Sequence, residues 1–276
     1  MLACRIVALV TNIPGPLAAA SLAQLGAHVV KIEPPAGDPL EVAAPAWYAR
    51  LTAPLMQVRR LNLREREGAA ALESLLDQAD LLVTAMRGGA LMRLGLSWES
   101  LHARRPRLCH VAIVGEGAPD DNRAGHDLTY QARAGIISPP AMPPSTYADL
   151  FAGERAVAAA CSALYDRERS GVGTRAEIAI AAGAAMLADP IRYGLTRERG
   201  PLSGAFPEYA LYRAADGWIA LAALEPHFQA RLSEALGIAK IDRETLARCF
   251  AQHSCAHWEA IAAGFDLPLA RVAHVA

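Results

Sequence analysis

Residues 5–35 read RIVALVTNIPGPLAAASLAQLGAHVVKIEPP. The opening run, residues 5–10, is short, apolar and rich in β-branched side chains, which marks a strand buried on both faces. Asn12-Ile13-Pro14-Gly15-Pro16 breaks it, and an alanine-rich helical pattern follows over residues 17–25 until Gly26 stops it. A second strand, residues 28–33, ends at Pro34-Pro35. Strand, helix and strand in about 30 residues make a βαβ unit, whose strands pair in parallel.

The alternation continues. Residues 66–78 predict a helix, 80–84 a strand, 98–103 a helix and 108–114 a strand. Asp149 precedes a long helical pattern at 150–167, which ends at Ser170-Gly171-Val172-Gly173, and residues 175–181 predict the last strand of this region. Such a sheet places ligands beyond the carboxyl ends of its strands. After residue 195 the pattern changes. Residues 209–213 and 218–223 flank Asp216-Gly217, a hairpin signal, and helical patterns follow at 226–236 and 243–252. The expected fold class is α/β: a Rossmann-like large domain with a parallel sheet over residues 1–195, a linker at 196–205 and a smaller α+β domain over 206–276.

The whole chain, 276 residues with a formal net charge of −1 and a hydrophobic share of 53%, is long enough for two cores and lacks the basic bias of a nucleic-acid binder. The scattered cysteines, Cys4, Cys109, Cys161, Cys249 and Cys255, form no Cys-x₂-Cys pair, and the apolar start is too short to span a bilayer. A reduced, cytoplasmic protein without a membrane or nucleic-acid partner is expected. No G-x-G-x-x-G or phosphate-binding Walker loop occurs. Cys249, His253, Cys255 and His257 are crowded, but one helix face does not accommodate them, and no metal is expected.

Several stretches together resemble family III CoA-transferases: Pro14-Gly15-Pro16; Leu25-Gly26-Ala27-His28-Val29-Val30-Lys31-Ile32-Glu33-Pro34-Pro35; Arg87-Gly88-Gly89 with Arg93-Leu94-Gly95-Leu96; and Pro106-Arg107-Leu108. Gly125-His126-Asp127 with Tyr130 and Ala134-Gly135, then Ala223-Leu224-Glu225-Pro226-His227-Phe228, resemble the α-methylacyl-CoA racemase branch. The resemblance implies a CoA thioester as substrate, no separate cofactor, and an interlocked homodimer. In that dimer the active site would lie between one chain's large domain and its partner's small domain. Family members usually run several tens of residues beyond a segment like 267–272 and return to the large domain. A chain without that return implies an open dimer or one completed by a tail-supplying partner chain.

The resemblance also assigns residues. Racemising a 2-methylacyl-CoA removes a proton from one face of Cα and delivers one to the other, so two acid/base groups must flank the carbon. His126 and Asp149 are those groups by resemblance, with Glu225 as the histidine's partner. Asp127 either orients His126 or caps the following helix. Gly15, Lys31, Arg59, Arg60 and Arg87 are the candidate CoA-binding residues, with Arg59 and Arg60 replacing a basic stretch that the family usually carries. Each has a plainer alternative: Asp149 as a helix N-cap, His126 as a loop residue, Glu225 as a helix start, Arg87 as a solvated arginine. A helix N-terminus lowers a carboxyl pKa and suits a nucleophile, whereas burial raises it and suits a proton donor. Three functions therefore stand open: α-methylacyl-CoA racemase-like proton transfer, an isomerase activity; CoA transfer between carboxylic acids through an aspartyl-CoA on Asp149; and CoA binding without catalysis.

Overall fold

The computed structural model describes residues 2–120 and 122–273. The chain divides into two compact units, 1–188 and 189–276.

In the first unit β1 (Arg5–Leu9), α1 (Pro14–Gln24) and β2 (His28–Glu33) realise the βαβ unit. Two short helices, α2 (Pro39–Ala43) and α3 (Pro45–Thr52), lead to β3 (Gln57–Arg60). Next come α4 (Arg66–Leu76), β4 (Leu81–Thr84), α5 (Gly88–Arg93), α6 (Trp98–Arg104) and β5 (Cys109–Val114). The unit closes with α7 (Asp127–Ala134), α8 (Tyr147–Ser170), β6 (Arg175–Ala179) and α9 (Ile180–Leu187). The six strands pair in parallel in the order β3-β2-β1-β4-β5-β6, the doubly wound arrangement. The order in which successive strands are added reverses between β1 and β4, so the crevice at their carboxyl ends is where such a fold takes ligands.

Side chains cover both faces of the sheet. Ile6, Ala8, Val10, Val83, Val111 and Ile113 pack against α1 and α8. Val7, Leu9 and Leu82 pack against Leu72 and Leu76 of α4, Leu91 of α5 and Leu101 of α6. Ala148, Ala152, Ala156 and Ala160 make a buried stripe at every fourth residue of α8. Gly153 extends this small-residue surface: a Cβ there would come within 2.9 Å of the Leu17 side chain in α1. The alanine content is thus used to bring two helices close together over the sheet.

The second unit begins with α10 (Asp189–Arg192). It contains the hairpin β7 (Tyr209–Ala214) and β8 (Gly217–Ala222), then α11 (Pro226–Leu236), α12 (Arg243–Phe250), α13 (Cys255–Phe265) and β9 (Leu269–Arg271). Ala214 pairs with Gly217, so the turn is Ala215-Asp216, and β9 adds an antiparallel third strand to β8. Tyr212, Ile219, Leu221, Leu232, Leu246, Phe250 and Trp258 form this unit's own core.

Candidate active site at the carboxyl ends of the sheet

Two cavities open where the strands end. The larger, about 950 Å³, is walled by Val10 and Thr11 after β1, Pro34 and Pro35 after β2, Leu61 to Arg64 after β3, and Met86, Ala90, Arg93 and Leu94 after β4. The smaller, about 230 Å³, is walled by Asn12 and Pro14, Ala85 to Arg87, Val114 and Gly115, Arg123, Gly125, His126, Tyr130, Asp149 and Ile180. Thr11 and Met86 belong to both walls, so the cavities adjoin.

His126 is the exposed N-cap of α7, and its backbone N–H donates to Thr129 Oγ1 at 3.1 Å. Asp149 is the third residue of α8, whose N-cap is Thr146. The helix begins three residues before the expected 150, so Asp149 lies inside its first turn and is not the cap. Burial, and secondly the neighbouring Asp127, push its carboxyl up from the ordinary aspartate value to about 7. This is opposite to the lowering expected from a helix N-terminus alone: desolvation outweighs the dipole.

Asp127 explains why the carboxyl of Asp149 is not spent on capping. Asp127 is the first residue of α7, and its Oδ1 accepts from the backbone N–H groups of Ala148 at 2.9 Å and Asp149 at 3.1 Å. Its other oxygen accepts from Gln131 Nε2 at 2.5 Å. The carboxylate thus serves the first turn of α8, not that of α7, the helix that Asp127 opens. Its carboxylate holds the backbone from which Asp149 projects.

The CoA-binding residues expected from the sequence separate. Arg87 lines the smaller cavity. Lys31 does not fit that role. It is fully buried, with Nζ paired to Glu33 and, at 2.7 Å, to Asp38. Tyr48 Oη donates to Glu33 at 2.7 Å, and Asp38 Oδ1 accepts from Asn12 N–H and Leu40 N–H. The lysine therefore neutralises two buried carboxylates instead of facing a ligand. Arg60 is tied to Glu41 and lies 3.5 Å from Glu33, and neither Arg59 nor Arg60 lines either of these two cavities. Gly15 is needed for packing: a Cβ there would lie 2.4 Å from the Val10 Cβ. Arg64 and Arg93 are the cations on the larger cavity, and Arg123 joins Arg87 on the smaller. Sequence reasoning did not select them; only Arg64, shortly after β3, had a position beyond a strand end as a signal.

The start of α1 is equally telling. Pro14 and Pro16 leave Gly15 with the sole N–H of the first three helical positions. A dinucleotide pyrophosphate normally bonds to several such amides, which this turn lacks. In the second unit, Glu225 is the exposed N-cap of α11. His253 and His257 stack with ring centroids 4.1 Å apart, while Cys255 is buried and its N–H donates to Asp216. Among the described residues, no helix is long and apolar enough to cross a membrane.

The sequence profile of CoA-transferase family III matches residues 3–276. The chain belongs to CoA-transferase family III. It is 30% identical to human alpha-methylacyl-CoA racemase over 92% of its own length and 72% of that protein. It is 31% identical to succinyl-CoA–D-citramalate CoA-transferase of Chloroflexus aurantiacus over 84% of its own length and 64% of that protein. The chain thus spans about two thirds of the length of these curated family members. Among solved structures, a hypothetical protein from Mycobacterium tuberculosis superposes with a TM-score of 0.83 over 99% of this chain and 84% of that one, at 23% identity. A CAIB/BAIF family protein from Brucella suis gives 0.81 over 98% and 83%, at 24% identity. These two show the fold. The named enzymes among the relatives make this an enzyme family that acts on acyl-CoA, with racemases and CoA-transferases both represented.

Proposed function

We propose that the chain transfers a proton at Cα of a 2-methylacyl-CoA, with His126 and Asp149 as the acid/base pair. The observation that carries this reading is the smaller cavity, whose wall holds both a histidine and a carboxyl pushed to about 7. A carboxyl that titrates near neutrality both takes and returns a proton at working pH, as exchange between two faces of one carbon requires. The CoA portion would occupy the larger cavity, with Arg64 and Arg93 beside its phosphates and Arg87 nearer the thioester. CoA enters as substrate. Glu225 remains the candidate partner of the histidine by family resemblance, and a homodimer the candidate assembly.

Incubation with racemic 2-methylacyl-CoA in deuterated water, followed by mass analysis, tests the reading. Deuterium should enter at Cα with the wild-type chain. His126→Ala and Asp149→Ala should each lower that rate by at least about 10²-fold without loss of the folded circular-dichroism signal. Near-wild-type exchange in both variants would remove them from the chemistry. CoA transfer through an aspartyl-CoA on Asp149 is the second reading, supported by the transferases among the relatives. Hydroxylamine trapping of an adduct on Asp149, without Cα exchange, would establish it instead.

A further inference from the structure

We propose that Gln131 is a positioning residue for the reaction, whose buried amide bonds the carboxylate of Asp127 and so leaves the proton of the Asp127–Asp149 pair on Asp149. Gln131 stands one turn after Asp127 on α7 and is fully buried. Its Nε2 donates to Asp127 Oδ2 at 2.5 Å and to the Ser145 carbonyl at 3.1 Å, in the segment that leads into α8. Both partners are acceptors, which fixes the amide: turned over, its oxygen would face a carboxylate and a carbonyl.

This orientation leaves Gln131 Oε1 buried without a hydrogen-bond donor among the described residues. Such an orphan is destabilising, and an unbranched apolar side chain of the same length would avoid it, so packing alone does not account for the amide. What the amide adds is a third N–H on Asp127. Backbone N–H groups of Ala148 and Asp149 meet Oδ1 and Gln131 meets Oδ2, and N–H groups on both oxygens favour the charged form of a carboxyl. Burial first, and then that charge, keep the neighbouring Asp149 carboxyl protonated toward neutrality. The remaining titratable or charged groups on the cavity wall beside Asp149 are His126, Tyr130, Arg87 and Arg123. Arg133, over the Tyr130 ring, is paired with Glu116, and α1 and α9, which pack on α8, carry no such group.

The proposal rests on Asp149 as an acid/base group for Cα. Asp127 is not among the residues that wall the smaller cavity, so a proton lodged there is out of a ligand's reach. A proton on Asp149 is deliverable to one face of Cα, and Asp149 regains it from that face in the reverse direction. Gln131 does not wall the cavity either. It acts through Asp127, by deciding which of two coupled carboxyls holds one proton.

Gln131→Met keeps the side chain's length and removes its donor. Carbon-13 NMR of labelled aspartate carboxyls, assigned with Asp127→Asn and Asp149→Asn, reads which group carries the proton. The Asp149 carbon should titrate near neutrality in the wild type and at least about one pH unit lower in Gln131→Met. The limb of the Cα-exchange pH profile that belongs to Asp149 should move down with it, a shift that mere loss of a tie between α7 and α8 would not cause. Gln131→Leu gives the same reading should the methionine variant not fold. An Asp149 titration within about 0.3 pH unit of wild type in a folded variant overturns the proposal and leaves the proton-transfer reading standing. A wild type in which the Asp127 carbon titrates near neutrality in place of Asp149 overturns it without any variant. Should the wild type show no Cα exchange, the proton-transfer reading fails, and the carboxyl titrations alone decide what Gln131 does.

Discussion

Asp149 holds a proton near neutrality because its surroundings offer its charge little. Desolvation comes first and Asp127 second. Chemistry and stability are then linked through one group. A carboxyl whose folded pKa lies above its unfolded value contributes fully to stability below the unfolded value, near 4. That contribution is lost as pH rises through the folded value, about 7. Between these limits the unfolded chain releases the proton while the folded chain keeps it, so stability falls with rising pH. Asp149→Asn cannot ionise. The variant should match the wild type in urea unfolding near pH 4 and exceed it at pH 8 by roughly 2–4 kcal/mol, at 1.36 kcal/mol per pKa unit. Equal differences at both pH values would mean that burial does not hold the carboxyl neutral.

At the scale of elements, the site is assembled from segments distant in sequence, and α7 connects with α8 through Asp127. Loss of its carboxylate frees two backbone N–H groups at the start of α8. Asp127→Ala should cost about 1–2 kcal/mol in thermal or urea unfolding and shift the pH dependence of Cα exchange downward, because the carboxylate that helps raise Asp149 is gone. Asp127→Asn retains an acceptor and removes the charge. It should shift the pH profile as much while costing less stability; an unshifted profile in both variants would exclude Asp127 as a cause of the raised pKa. The same long-range link shows what the sequence could reveal. The strands β1, β2, β4 and β5 were legible because short runs dominated by Val, Ile, Leu and Ala between turn signals carry their own signature. β3 was not: Gln57-Val58-Arg59-Arg60 is polar, and its strand form comes from pairing at the edge beside β2. Motif resemblance picked out His126 and Asp149, which line one cavity, but Lys31 was misplaced. Its alternation in β2 turns it into a buried ion pair with Glu33 and Asp38, and Asp38 is supplied by the following loop. No local pattern announces such a partner.

At the scale of the whole molecule, the chain builds two hydrophobic cores from separate stretches, one around the parallel sheet and one around β7–β8–β9. Both cavities described above are walled by the first unit alone. Stability of the sheet core is therefore expected to respond weakly to damage in the second. Phe250 is the place to inflict that damage. Its ring is fully buried, 5.1 Å from Tyr212 and 5.2 Å from Trp258 between centroids, and its carbonyl accepts from Trp258 Nε1 at 2.9 Å. Phe250→Ala removes a fully buried ring of α12 that packs on Tyr212 of the hairpin and Trp258 of α13, a loss of about 3–5 kcal/mol for a buried aromatic truncation. Hydrogen exchange followed by mass spectrometry should then show faster exchange through β7, β8, α12 and α13, while amides of β1, β2, β4 and β5 keep their protection. Acyl-CoA analogue affinity at the first unit's cavities should change little by the same reasoning. Uniform loss of protection across both sheets would show that the two cores unfold as one cooperative unit despite their separate side chains.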